Sequence, residues 1–152
     1  LFSERDEYYV APGHDTIRLW RDSEEHLFPG KKMQFDSNVS YTDKLRIAAG
    51  DLLAHCDQPR RLGCIYYLGE TNPDGTVFTP MAASEVVIQL LHHSFVLDVQ
   101  NKEDMARQFT HVTKLANMPI HYRLDYPRDF GHLADLHSAI LDHSQQFLHP
   151  AR

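Results

Sequence analysis

The sequence predicts an α/β fold, a mixed sheet with packed helices, and three stretches carry that prediction. "LGCIYYLGE" at residues 62–70 is a short apolar run of aromatic and branched side chains. Glycine and the turn signal "TNPDG" bound it, so it reads as a buried strand. "IHYRLDY" reads as a second strand, set between two stretches whose apolar residues recur at helical spacing. Helix, strand and helix around a buried strand is the signature of a layered α/β domain.

In the first third the elements read as short strands. "EYYVA" and "TIRLW" flank "PGHD", the spacing of two strands joined by a turn, because Pro12 fixes φ and Gly13 tolerates positive φ. In that reading Ile17 and Trp20 face inward, and Arg18 is left to face a site. "KKMQF", after Pro29 and Gly30, reads as a third strand. Leu45, Ala48, Ala49, Leu52 and Leu53 recur at helical spacing and predict a helix over 41–56, weakened by Gly50.

Further along, residues 83–96 are apolar on nearly all sides, which fits a helix buried between layers. Asn101 is placed to cap a helix whose Met105, Phe109, Val112 and Ala116 share one face, and Pro119 ends it. Pro127, Arg128 and Asp129 open a final helix with the inner stripe Leu133, Leu136, Ile140 and Phe147.

A chain of 152 residues suits one domain spanning 1–152 and is short for two. At 42% hydrophobic and 24% charged it has the composition of a globular domain and not of a disordered one. The net charge of -6 argues against a nucleic-acid partner, which needs a basic face to neutralise phosphates. Cys56 and Cys64 lack metal-like spacing and read as free thiols of a reducing, cytoplasmic compartment. No apolar run approaches the ~20 residues of a membrane span, so no membrane partner is expected. "LFSERDEYYV" has acidic residues where a signal peptide is apolar. Its lack of an initial Met points to a processed, trimmed or incomplete chain.

The eleven histidines invite a metal reading that geometry does not support. His132 and His143 point the same way on a helix but stand about 16 Å apart along it, and His137 faces elsewhere. The neighbours His92 and His93 diverge by about 100°. There is no Gly-x-Ser-x-Gly elbow for a nucleophile. Asp125 and Asp129 flank a strand end, where α/β proteins place ligand-facing carboxylates. Asp129 fits a helix N-cap even better. No G-x-x-x-x-G-K-[ST] loop is present, and Gly30-Lys31-Lys32 lacks its first glycine and its hydroxyl residue. Lys31 and Lys32 can still reach an anionic ligand. Arg60 and Arg61 read either that way or as solvated charges.

Taken in order, "APGHDTIRLWRDS", "GKKMQF", "CIYYLGE" and "PIHYRLDYPRDFGHLADLHSAI" resemble the HPr-kinase-like family. These are ATP-dependent kinases related to HPr serine kinase/phosphorylase and, in fold, to PEP carboxykinase. The resemblance is to smaller members, including those of lasso-peptide and other peptide-modification gene clusters. It covers most of this chain but only the C-terminal half of such a protein. Its most specific pieces are P-G-x-x-x-I-R-L-W and Y-R-L-x-Y-P-R-D-F.

The resemblance implies the C-terminal portion of a PEP-carboxykinase-like P-loop kinase fold, acting with ATP and Mg²⁺ on a serine of a protein or peptide. In the family a Walker A loop and an acidic strand end precede the segment matching residues 1–20, so both would lie upstream of Leu1. The family places no catalytic residue securely on this stretch. Arg18, Lys31 and Lys32 are the substrate- or phosphate-binding candidates on charge and position. An open apolar edge at "CIYYLGE" would pair with the missing half or with a second copy. Two other readings are a non-catalytic peptide- or protein-binding module on the same scaffold and a plain α/β interaction domain without phosphate chemistry.

Overall fold

In the computed structural model the described residues are 2–4, 7–30, 44–48, 55–94 and 102–148. The chain divides into two compact units, Leu1–Leu62 and Gly63–Arg152. The first unit is built from short antiparallel pairs. β1 (Phe2–Glu4), β2 (Glu7–Val10) and β5 (Arg60–Arg61) form one sheet in the order β1-β2-β5. β3 (Thr16–Leu19) and β4 (Leu45–Ala48) form a separate ribbon, and the seven-residue α1 (Arg21–Leu27) follows β3.

The ribbon's register explains its faces. Ile17 pairs with Ile47, Arg18 with Arg46 and Leu19 with Leu45. Side chains alternate along a strand, so the aliphatic residues share one face and the arginines the other. Ile47 anchors the apolar face at 2% exposure.

Three expectations are corrected here. "PGHD" does not join a hairpin: β2 pairs with β1 and β5, while β3 pairs with β4. Tight two-residue hairpin turns need positive φ, and Gly13 is not among the positive-φ glycines, Gly30 and Gly75. Second, residues 45–48 are a strand and not part of a helix, because Leu45 and Ile47 alternate with Arg46 and find Leu19 and Ile17 opposite. His55 and Cys56 belong to no helix either, and 41–43 and 49–54 lie outside the described residues. Third, Trp20 does not face inward. Lying three residues from Ile17, it has the opposite strand parity, and it is 52% exposed just ahead of α1. Ile17 itself is 37% exposed. The "KKMQF" strand falls outside the described residues.

The second unit is the α/β part that the sequence predicts. β6 (Ile65–Thr71), β7 (Val77–Pro80) and β8 (His121–Tyr126) form a mixed sheet in the order β6-β8-β7. β6 runs parallel to β8 and β7 runs antiparallel to it. α2 (Ala83–His93) packs on α3 (Lys102–Ala116), and α4 (Leu133–Leu148) follows a 3-10 turn at Phe130–His132.

Strand parity assigns the helices to opposite faces of this sheet. His121 on β8 bonds the Leu115 carbonyl of α3 at 2.8 Å. Its neighbour Tyr122 points the other way and meets His143 of α4, ring centroids 4.6 Å apart. The core lies between these layers, with Val86, Leu115, Ala116, Ile120 and Leu124 buried.

The helices are less enclosed than their sequences predict. Only Val86 of α2 is buried, while Ile88 is 59% exposed. In α3 the apolar face is buried at Val112 and Ala116 but open at Met105 and Phe109, and Asn101 lies outside the described residues. The α4 stripe of Leu133, Leu136, Ile140 and Phe147 is half-buried throughout. β6 is an edge strand among the described residues and not a fully buried one, since Leu68 is 69% exposed.

Candidate functional site

The C-terminal ends of the parallel strands β6 and β8 lie side by side, the place where open α/β sheets bind ligands. The register between them slips between Leu68 and Thr71, which leaves Gly69 and Glu70 as a bulge. Asp125 fills it. One carboxylate oxygen accepts the Glu70 N–H at 2.7 Å and the other accepts Arg123 Nε at 3.1 Å. A side chain at Gly69 would run into that carboxylate and into Arg123 Cγ, so both side chains would have to shift to admit one. Arg128 closes the bracket by donating to the Gly69 carbonyl, its guanidinium 5.9 Å from the Tyr126 ring centroid.

Asp125 is therefore committed to the fold, with its side chain only 15% exposed. Asp129 behaves differently from the cap that its position predicts. Its backbone is extended at the N-cap of the 3-10 turn, but its carboxylate makes no cap bond. It accepts instead from His132 Nδ1 at 2.6 Å. Tyr126, Arg128, Asp129, Phe130 and Leu133 line a cavity of about 220 Å³ at this corner. An imidazole whose Nδ1–H donates to a carboxylate presents the Nε2 lone pair as a proton acceptor, and donates to an anion's oxygen only once that nitrogen is protonated.

A larger groove of about 420 Å³ lies between the sheet and α2, lined by Thr79, Met81, Glu85, Ile88, Gln89 and Arg123 among others. Arg123 thus serves two places, its Nε on Asp125 and its exposed flank on the groove. Glu85 reaches back to the Ala82 N–H at 3.3 Å, satisfying one of the free donors at the start of α2.

Two histidines, His121 buried and His143 half-buried, tie the layers together. His121 is 3% exposed; its Nε2 donates to the Leu115 carbonyl, and its Nδ1 accepts the Tyr67 hydroxyl at 3.0 Å. Burial holds the His121 imidazole below its ordinary pKa and pushes the Tyr67 phenol up to about 12. On the other face His143 stacks on Phe78 at 4.1 Å, and its Nδ1 shares a 2.8 Å hydrogen bond with the Tyr66 hydroxyl. Burial lowers the His143 pKa as well, and it raises that of Tyr66, with Cys64 adding to the rise.

Of the residues that the sequence singles out as phosphate-binding, Arg18 lies on β3 directly opposite Arg46. Lys31 and Lys32 lie outside the described residues. Arg60 and Arg61 are engaged: Arg61 pairs with Glu7 at 3.3 Å, and Arg60 donates to the Cys56 sulfur at 3.1 Å. That contact lowers the Cys56 thiol pKa. Arg46 is a position that sequence reasoning misses as a site candidate, and His132, weighed there only as a metal ligand, is found paired with Asp129. The signal for Arg46 is legible afterwards, because Ile17-Arg18-Leu19 and Leu45-Arg46-Ile47 mirror each other, as an antiparallel pair requires. Among the described residues no three histidine, cysteine or carboxylate side chains converge on a point, and no helix is long and apolar enough to cross a membrane. No family model, no curated protein and no solved structure matches this chain.

Proposed function

We propose that the chain is the C-terminal part of an ATP-dependent serine kinase of the HPr-kinase-like type, with a PEP-carboxykinase-like P-loop kinase fold and a protein or peptide as substrate. One observation carries the reading. The motifs "CIYYLGE" and "YRLDYPRDF", far apart in sequence, are adjacent parallel strands whose C-terminal ends are bracketed by Asp125 and Arg128. Those are two of the stretches on which the resemblance rests.

In this reading the chain supplies scaffold and anion-binding side chains, with Arg18, Lys31 and Lys32 contacting substrate or phosphate. Phosphoryl transfer depends on P-loop amides, a lysine and Mg²⁺ that neutralise the transferred group. The 152 residues contain no P-loop sequence. ATP and Mg²⁺ would be held chiefly by groups that precede Leu1 in the complete kinase, and the free edge of β6 would pair with that half or with a second copy. Residues 1–152 alone are accordingly expected to show no ATP turnover above background. Mg²⁺-dependent turnover that survives repurification would refute this division of labour.

The absence of a P-loop sequence also favours a second reading, a non-catalytic module that binds a peptide or protein on the same scaffold. Titration of the longest natural chain with ATP and Mg²⁺ separates the two, since the module binds no nucleotide.

A further inference from the structure

The corner cavity between the end of β8 and the start of α4 carries charges of both signs. Arg128 and Asp129 both line it, beside Tyr126, Phe130 and Leu133. The two are neighbours in sequence and opposite in charge, yet each is held by a different group. His132 Nδ1–H donates to Asp129 Oδ2 at 2.6 Å, and Oδ1 accepts no hydrogen bond among the described residues. Arg128 is held by the Gly69 carbonyl, which takes one of its five N–H donors. Arg61, Arg107 and Arg123 each have a carboxylate partner, whereas Arg128 has none among the described residues.

These anchors keep a guanidinium and a carboxylate apart on the wall of one cavity. Small-molecule sites set a few polar groups among apolar walls, and the polar groups fix the ligand's orientation. The guanidinium fork matches a carboxylate through parallel N–H···O bonds. The open oxygen of Asp129 accepts from an ammonium. A ligand with only a negative charge would be repelled by Asp129, and one with only a positive charge by Arg128. A ligand bearing both charges on one carbon, with an apolar side chain for the remaining space, suits every wall. At about 220 Å³ the cavity is smaller than the roughly 300–1,000 Å³ of drug-sized sites, which fits a ligand the size of one amino acid.

We propose that this cavity binds a small apolar α-amino acid, its carboxylate on Arg128, its ammonium on Asp129 and its side chain against Tyr126, Phe130 and Leu133. The site goes beyond the kinase reading and does not rest on it.

The test titrates the 152-residue chain with L-leucine and follows the backbone amide resonances of residues 128–133 by NMR. Saturable shifts are expected there. Arg128→Gln and Asp129→Asn should each weaken binding roughly tenfold or more, because each leaves one charge of the ligand without its partner. Arg107→Gln, a control on α3, should bind as the parent does. Leucinamide lacks the carboxylate, N-acetyl-leucine lacks the ammonium, and free glycine lacks the apolar side chain. Each should bind roughly tenfold or more weakly than L-leucine.

The site is overturned if the parent shows no saturable shifts, or if both variants bind L-leucine within about twofold of the parent. It is overturned equally if any of the three analogues binds within about twofold of L-leucine. Asp129→Asn keeps an oxygen to accept from His132, so it keeps the test decisive should Arg128→Gln fail to fold. The kinase reading stands or falls separately, on a P-loop and ATP turnover in the longer natural chain.

Discussion

Gly69 and Asp125 show how one side chain decides what its neighbour can be. The Asp125 carboxylate occupies the space where a Gly69 side chain would stand and satisfies the Glu70 N–H from there. Gly69→Ala must push the carboxylate away and leave that N–H without its bond. It should cost the second unit about 1–3 kcal/mol, read by urea denaturation. A change under about 0.5 kcal/mol would show that the bulge relaxes freely. His121 and His143 act at the same scale through protonation. Both are held neutral by burial, below their ordinary pKa of 6.5, so the unfolded chain takes up the proton more readily. The stability that they contribute is complete above 6.5 and is lost as pH falls from there through their folded values. The urea midpoint should therefore drop on acidification below neutrality, and His143→Phe, which keeps the aromatic stack, should make the drop shallower. An equally steep drop in that variant would exclude His143 from the effect.

Among the elements, β6 and β8 divide the labour of the sheet. β8 is central, with Leu124 at 2% exposure, whereas β6 is an edge strand with Leu68 at 69%. An apolar strand with no partner on one side among the described residues is a template for another strand. Sedimentation velocity at rising concentration should show association, and Leu68→Lys should reduce it; a strictly monomeric profile would count against pairing at this edge. Both strands were legible in the sequence because their aromatic and branched residues are bounded by turn signals. The stripe of α4 was legible through its helical period. The ribbon was not. Leu45, Ala48 and Leu52 also satisfy a helical period, and the choice for a strand comes from Ile17 and Leu19, which are distant in sequence. The cross-strand partner of Arg18 was hidden for the same reason. From the sequence alone Asp125 reads as ligand-facing, because the slip of register that engages its carboxylate exists only once β6 and β8 meet.

At the scale of the molecule, the proposed kinase reading makes this chain, which contains no P-loop sequence, one part of a larger phosphotransferase. The most direct test is to express the chain together with the coding sequence that precedes Leu1 and to assay Mg²⁺-dependent phosphoryl transfer from ATP to serine. The account predicts a G-x-x-x-x-G-K-[ST] loop within about a hundred residues upstream, a domain-sized distance. It also predicts turnover in the longer chain that residues 1–152 lack. A longest natural chain with no such loop and no binding of ATP and Mg²⁺ would contradict it.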